Sequence, residues 1–305
     1  LDTSIRLEGE FEIKEGSSAQ DVWQALDEKG FTDITWPWQY YAWRKGASNK
    51  LKPGTYMLKK GESMEGVIGK FVAGNVRELV VTYPEGFTLK QMASRTARGG
   101  IGTEQDFRQA ARPENFSGQF DWIDKVPQGR DLEGYLFPDT YRVFVDDAAN
   151  DVVRRLLANF NEKFSEDLRR EATASGRTLD EIVIMASIVE REVTSDKDMA
   201  VVAGVLWKRV DEGVGIDADA TIRYALDKWE GALTAQDLAN ESPYNTRKWR
   251  WLPPGPISNP GLRAIIAAVR PEPSEYYYYL SAPDGTTIFS KTLEEHNANK
   301  AKYLN

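Results

Sequence analysis

The sequence predicts an α+β fold: a small N-terminal α/β subdomain followed by a mainly helical domain with a minor β-sheet. Three observations lead there. The first hundred residues repeat one pattern, a β-prone run, a glycine, a hydroxyl residue two positions later and an apolar residue four after that. From about residue 148 onward, apolar residues recur mostly at helical spacing. Near the end, two β-prone runs flank Pro283, Asp284 and Gly285, as the strands of a hairpin flank its turn.

The repeated pattern occurs three times. The run 11–14 leads to Gly16, Ser18 and Val22; 56–59 leads to Gly61, Ser63 and Val67; 79–83 leads to Gly86, Thr88 and Met92. Glycine permits the turn, the hydroxyl caps the helix by accepting from a backbone N–H, and the apolar residue begins the buried face. Each copy reads as strand, turn and helix. Between the first two copies, residues 36–44 (WPWQYYAWR) form an aromatic cluster, read as a short helix packing on the small sheet. Ring faces also stack on pyranose faces, so a sugar-binding reading stands beside the core reading. A Gly-rich connection at 99–102 precedes a short helix at 103–112 and a loop region rich in Pro, Gly and Asp. In 132–143 (LEGYLFPDTYRV), Pro138 opposes a long regular helix and Glu133 and Asp139 lie among aromatic residues. Helical patterns follow at 148–174, 178–193, 199–212, 219–227 and 261–269, then β-prone runs at 276–281 and 286–289, then a closing helix at 293–303. The boundary between the two regions is placed after residue 98, giving 1–98 and 99–305.

Bulk properties narrow the chemistry. A chain of 305 residues is long enough to bury a substantial core. Its net charge of -8 and pI near 5.0, with no basic run, argue against nucleic acid as a partner. There is no cysteine, and the one histidine, His296, cannot build a His-based metal cluster or a persuasive triad. No metal or other cofactor is expected, and no phosphate-binding loop, dinucleotide fingerprint, G-x-S-x-G elbow or H-E-x-x-H occurs. No run of eighteen apolar residues is present, and the chain begins at Leu1 without Met, which raises the expectation of a preceding signal or anchor. Catalysis, if any, falls to carboxylates and hydroxyls.

Candidate carboxylates stand at the end of the 178–193 helix. A capping box joins Thr178 to Glu181, and Ile182, Met185, Ala186, Val189 and Val193 form a stripe facing a core. Glu190 and Glu192 lie on opposite shoulders of that stripe, with Arg191 pointing away. A glutamate half-buried beside apolar side chains holds its proton nearer to neutral pH, as a general acid must. The alternative is a helix end whose acids pair with Arg191 or Lys197 at the surface. Three further segments are polar and turn-rich. Asp217 and Asp219 precede a short helix, where Asp219 suits an N-cap. The rigid loops SPYNT (242–246) and LPPGPISNPG (252–261) offer Tyr244, Asn245, Thr246 and Asn259 to a polar ligand, or merely connect helices. His296 reads as a helix-surface residue. Acid chemistry on a neutral polar substrate most often means glycan cleavage.

Taken in order, these segments resemble the YceG-like family of endolytic murein transglycosylases along essentially the whole chain. The carrying pieces are VTYPEGFT (81–88), EGYLFPDTY (133–141), ASIVERE (186–192), DADATIRYAL (217–226), SPYNT, LPPGPISNPG and DGTTIFSKTLEEHN (284–297). The resemblance implies a LysM-like N-terminal subdomain and an inner-membrane anchor upstream of Leu1, with this region extracytoplasmic in the bacterial cell envelope. It implies peptidoglycan strands as substrate, cell-wall synthesis proteins as partners, and internal cleavage leaving 1,6-anhydro-N-acetylmuramic ends. It also implies that Glu190, the first glutamate of the ASIVERE segment, is catalytic, a choice that helical periodicity leaves open. Glu133, Asp219, Tyr244, Asn245, Thr246 and Asn259 become candidates for holding the sugars or supporting the oxocarbenium-like state. Two departures are visible, Asp217 where the family often has Gln and Thr287 where it often has His. The rival readings are a non-catalytic glycan-binding or scaffolding protein and a hydrolase with two carboxylates.

Overall fold

The computed structural model describes residues 2–74, 76–145, 147–193 and 195–304. The chain divides into two compact units, one of Leu1–Val81, Gly99–Ile101 and Tyr141–Ala148, the other of Thr82–Arg98, Gly102–Thr140 and Ala149–Asn305.

In the first unit, strand β1 (Gly9–Ile13) pairs antiparallel with β2 (Gly54–Leu58), Phe11 standing opposite Tyr56. Alternation sets the buried face: Phe11 and Ile13 are buried while Glu10 and Glu12 are not. Helix α1 (Ala19–Glu28) starts in a capping box between Ser18 and Asp21, and α3 (Met64–Ala73) starts where the Ser63 side chain accepts from Gly66 N. Gly16 and Gly61 both take φ of +81°, the left-handed turn that each repeat requires. Rings fill the core, with Tyr56 and Phe71 centroids 4.7 Å apart and Trp23 and Trp38 5.8 Å apart. Helix α2 (Trp36–Arg44) meets the core reading only along Pro37, Trp38 and Ala42. Trp36, Tyr40 and Trp43, one helical face, are exposed. Strand β3 (Glu78–Thr82) joins β4 (Thr140–Phe144) in a separate two-stranded sheet.

The third repeat is divided. Its strand lies mostly in the first unit, but helix α4 (Leu89–Arg98) packs on α5 (Glu104–Ala110) within the second, ahead of the boundary expected after residue 98. The pattern at 148–174, read as one helix, is two: α6 (Ala149–Lys163) and α7 (Glu166–Ala174). Ser165 breaks it by capping α7, its side chain accepting from Leu168 N. Helix α8 (Leu179–Glu192) buries every residue from 182 to 189, so it is a core helix rather than a one-sided one. Helices α9 (Asp196–Asp211) and α12 (Leu262–Val269) pack against it.

Between them come α10 (Asp219–Leu226) and α11 (Ala235–Leu238). The cap of α10 is Ala218, not Asp219, which occupies the first helical position. Strands β5 (Tyr278–Ser281) and β6 (Thr287–Ser290) form the expected hairpin, and α13 (Leu293–Tyr303) closes the chain. His296 corrects the surface expectation. It is 8% exposed because the hairpin packs over that face of α13, with the Tyr278 ring 5.2 Å from the imidazole and nearly parallel to it.

Candidate active site

Helix α8 delivers Glu190 to a place where three turns converge, all within the second unit. Ser187, one turn earlier, anchors the helix: its Oγ accepts from Ile257 N at 3.0 Å, and Ser258 Oγ donates to Ser187 O at 3.1 Å. The loop so held then turns Gly261 N toward Glu190, whose Oε2 accepts at 3.0 Å. Burial pushes the half-buried Glu190 carboxyl from 4.5 up to about 7, aided by the charge of Glu85 and opposed by the Gly261 N–H, Arg263 and Arg191. Glu85 itself is exposed and paired with Arg263 at 2.8 Å.

The turn after Pro84 closes on the same spot. Gly86 has φ of +76°, and a Cβ there would lie 3.5 Å from Glu190 Cγ and 3.3 Å from Arg191 Cδ. Arg191 Nη1 donates to Gly86 O at 3.4 Å while its guanidinium lies 4.2 Å above the Trp229 ring. Arg191 thus points away from the core stripe, as expected, yet it is engaged on both sides.

Asn259 ties the turns together. Its Oδ1 accepts from Gly134 N and Leu136 N, each at 2.9 Å; its Nδ2 donates to Phe87 O at 3.0 Å and to Glu133 Oε1 at 2.8 Å. Its backbone adds two more bonds, Gly86 N to Asn259 O at 2.9 Å and Asn259 N to Phe87 O at 2.8 Å. Glu133 accepts from Leu89 N at 2.9 and 3.0 Å, at the start of α4, and from Tyr224 OH at 3.4 Å. Burial nonetheless raises the Glu133 carboxyl to about 8, against the pull of these donors.

Glu133 lines a cavity of about 410 Å³ with Thr88, Tyr224, Trp229 and Tyr244. The Tyr224 and Tyr244 rings are 5.0 Å apart, and Trp229 carries Arg191 on its face, so one side chain links this cavity to the neighbour of Glu190. Aromatic walls with a few polar groups suit a sugar.

The sequence-derived candidates therefore separate. Glu190, Glu133 and Asn259 are joined through the 259–261 turn, and Tyr244 shares the Glu133 cavity. Asn245 and Thr246 are buried and hold backbone instead: Asn245 Nδ2 donates to Leu238 O and Asn240 O, and Thr246 Oγ1 accepts from Ala218 N at 3.1 Å. Asn259, 0% exposed, likewise offers no side-chain surface to a ligand. Asp219 stands apart, exposed and paired with Arg247 at 2.6 Å, in a second cavity that Glu192 also lines. Glu192 accepts from Ala220 N at 3.5 Å and Tyr279 OH at 3.2 Å, which places it on the opposite side of α8.

Sequence reasoning missed Glu85, Tyr224, Arg191, Arg263 and Gly261 as parts of the site. Glu85, Tyr224, Arg191 and Gly261 did lie inside motifs, but nothing local marks which of their side chains or N–H groups reaches Glu190 or Glu133. Among the described residues no group of His, Asp or Glu is arranged to hold a metal ion, and no helix is long and apolar enough to cross a membrane.

Comparisons place the chain among known proteins. The YceG-like family profile matches residues 11–302. The endolytic murein transglycosylase of Bacillus subtilis (strain 168) is 31% identical over 303 residues, 96% of this chain and 84% of that protein. The endolytic murein transglycosylase of Streptococcus pneumoniae serotype 2 (strain D39 / NCTC 7466) is 26% identical over 324 residues, 96% of this chain but 58% of the longer relative. The 2.6 Å crystal structure of the yceG-like protein lmo1499 from Listeria monocytogenes matches with a TM-score of 0.66 at 30% identity, covering 97% of this chain and all of that one.

Proposed function

The chain belongs to the YceG-like family, and from that premise we propose that it is an endolytic murein transglycosylase in which Glu190 is acid and then base. The observation that carries the reading is the Glu190 carboxyl itself, half-buried, held by the Gly261 N–H at 3.0 Å and able to keep its proton up to about pH 7. Protonated Glu190 donates to the oxygen linking muramic C1 to the next sugar, and that C–O bond breaks as positive charge develops at C1. The muramic C6 hydroxyl attacks C1 to close the 1,6-anhydro ring, and the Glu190 carboxylate takes the C6 proton, restoring the acid. The substrate supplies the nucleophile, so one carboxyl suffices.

The remaining assignments follow from the same reading. Tyr244, with Tyr224 and Trp229, forms a wall for a sugar, while Asn259, Asn245 and Thr246 hold the loops that present it. Glu133 supports the α4 start beside that wall, and Asp219 acts in the second cavity. The β1-α1-α2-β2 order supports a LysM-like, glycan-holding role for the first unit. The working place is the extracytoplasmic face of the bacterial inner membrane, beside cell-wall synthesis proteins, with an anchor outside this chain.

Product analysis tests the proposal. Glycan strands digested by the protein and examined by mass spectrometry should carry 1,6-anhydromuramic ends, with chelator leaving the rate unchanged. A reducing end would transfer the reading to a two-carboxylate hydrolase, and intact strands would leave a binding or scaffolding protein.

A further inference from the structure

On the far shoulder of α8 from Glu190 lies a cavity of about 310 Å³ that the proposed chemistry leaves unexplained. Most of its charges pair internally, Arg209 with Asp217 and Arg247 with Asp219. One group of each sign is left over. Glu192 receives the Ala220 N–H and the Tyr279 hydroxyl, makes no ion pair among the described residues, and has its pKa raised by burial. Lys300, on the exposed side of α13, also makes no ion pair among the described residues. His296, one helical turn before Lys300, lines the same cavity with its Nδ1 buried and, among the described residues, without a hydrogen-bond partner. A buried polar atom left unpaired in a cavity wall is what a missing ligand leaves behind.

We infer that this cavity binds a zwitterionic amino-acid group of the murein peptide stem, its ammonium against Glu192 and its carboxylate against Lys300 and His296. The inference rests on the transglycosylase reading of Glu190. A neutral glycan leaves Lys300 and Glu192 unanswered, and a simple anion answers only Lys300. Distance allows the stem to reach: a helix with its side chains is about 10 Å across, and three extended residues span about 10 Å. The stem hangs from the muramic residue whose C1 is attacked, and Glu190 and Glu192 both stand in the last turn of α8, so a stem starting at Glu190 can pass round the end of the helix toward Glu192.

Two measurements on the full chain test this. In calorimetry, a synthetic stem peptide ending in a free diamino acid should bind, and should lose tenfold or more in affinity when its distal amine is acetylated or when the protein carries Lys300→Glu. Lys300 is exposed, so this change leaves the fold intact, which circular dichroism checks. Glu190→Gln should bind the peptide as the unaltered protein does. In cleavage assays, stem-bearing strands should be cut at least tenfold faster than strands stripped of stems, and Lys300→Glu should bring that ratio toward one. Equal binding of the acetylated peptide, or a rate ratio that Lys300→Glu does not move, overturns the inference. Peptide binding that depends on Lys300 in a protein that cuts neither kind of strand sustains the cavity assignment and removes the transglycosylase reading instead.

Discussion

Three glutamates with raised pKa values stand within the second unit, and their surroundings assign them different work. Glu133 is closed in by donors, Glu192 accepts from Ala220 N and Tyr279 OH at the start of α10, and Glu190, half-buried, accepts from Gly261 N as its one hydrogen-bond donor among the described residues. Glu190→Gln keeps the size and the Gly261 contact but cannot donate an acid proton, so turnover should fall on the order of a hundredfold or more. Steady-state assays of Glu190→Gln and Glu192→Gln decide it; near-normal turnover in the first with loss in the second reverses the assignment. The pH dependence has a definite sign. An acid must be protonated, so the rate should fall as pH rises through about 7. Stability follows the same direction: a folded pKa raised from 4.5 means the native state holds more protons, so the stabilisation present below about pH 4.5 is lost as pH climbs to about 7. Denaturation curves taken across that window should slope less for Glu190→Gln. Asn259 gives a sharper test of the scaffold. Asn259→Ala strands the Gly134 and Leu136 N–H groups in the interior, which should cost about 3 kcal/mol and slow cleavage without touching substrate. An unchanged urea midpoint would contradict the role given to Asn259.

Elements were legible wherever their causes were local. Gly16, Gly61 and Gly86 all take positive φ, and Ser18, Ser63 and Thr88 all cap the helix that follows, because a turn and a cap need only a few neighbouring residues. The closing helix and the hairpin were read for the same reason. Where the cause lies far along the chain, the reading failed or stayed open. Periodicity runs straight through Ser165, so two helices looked like one. Asn259 looked like a ligand-binding residue in a rigid loop, and its true partners lie 123 to 172 residues away in sequence. His296 looked exposed because nothing within α13 announces the hairpin above it. Gly204 in α9 shows the same limit as a prediction. Helix propensity alone says Gly204→Ala should stabilise by about 1 kcal/mol. An added Cβ would sit 1.9 Å from the Glu272 carbonyl oxygen, part of a segment bound to the helix through Glu272 N and Ala200 O at 2.9 Å. Backbone must move, so the substitution should instead destabilise by about 1–3 kcal/mol. A thermal melt showing a gain would mean the 271–274 segment yields freely.

Across the whole molecule, the two units are not consecutive stretches of chain. Deleting residues 1–81 removes nearly all of β3 and leaves β4 without its partner strand. An unpaired strand invites association with other chains, so the shortened protein should aggregate with rising concentration by light scattering. Replacing 141–148 in the same deletion with a Gly-Ser link should restore solubility, and that form should still make anhydro ends while acting less well on long strands. Aggregation unchanged by the replacement would point to some other exposed surface.

The return of residues 141–148 to the first unit also sets a timetable for biosynthesis. Domains formed early on the ribosome usually settle as soon as their last residue emerges, but here β3 must wait for β4, with all of α4 and α5 translated in between. The first unit therefore stays incomplete until 148 of the 305 residues have been made. During that interval β3, with Val80 still outward in the finished protein, is the segment of the nascent chain most in need of a chaperone's cover.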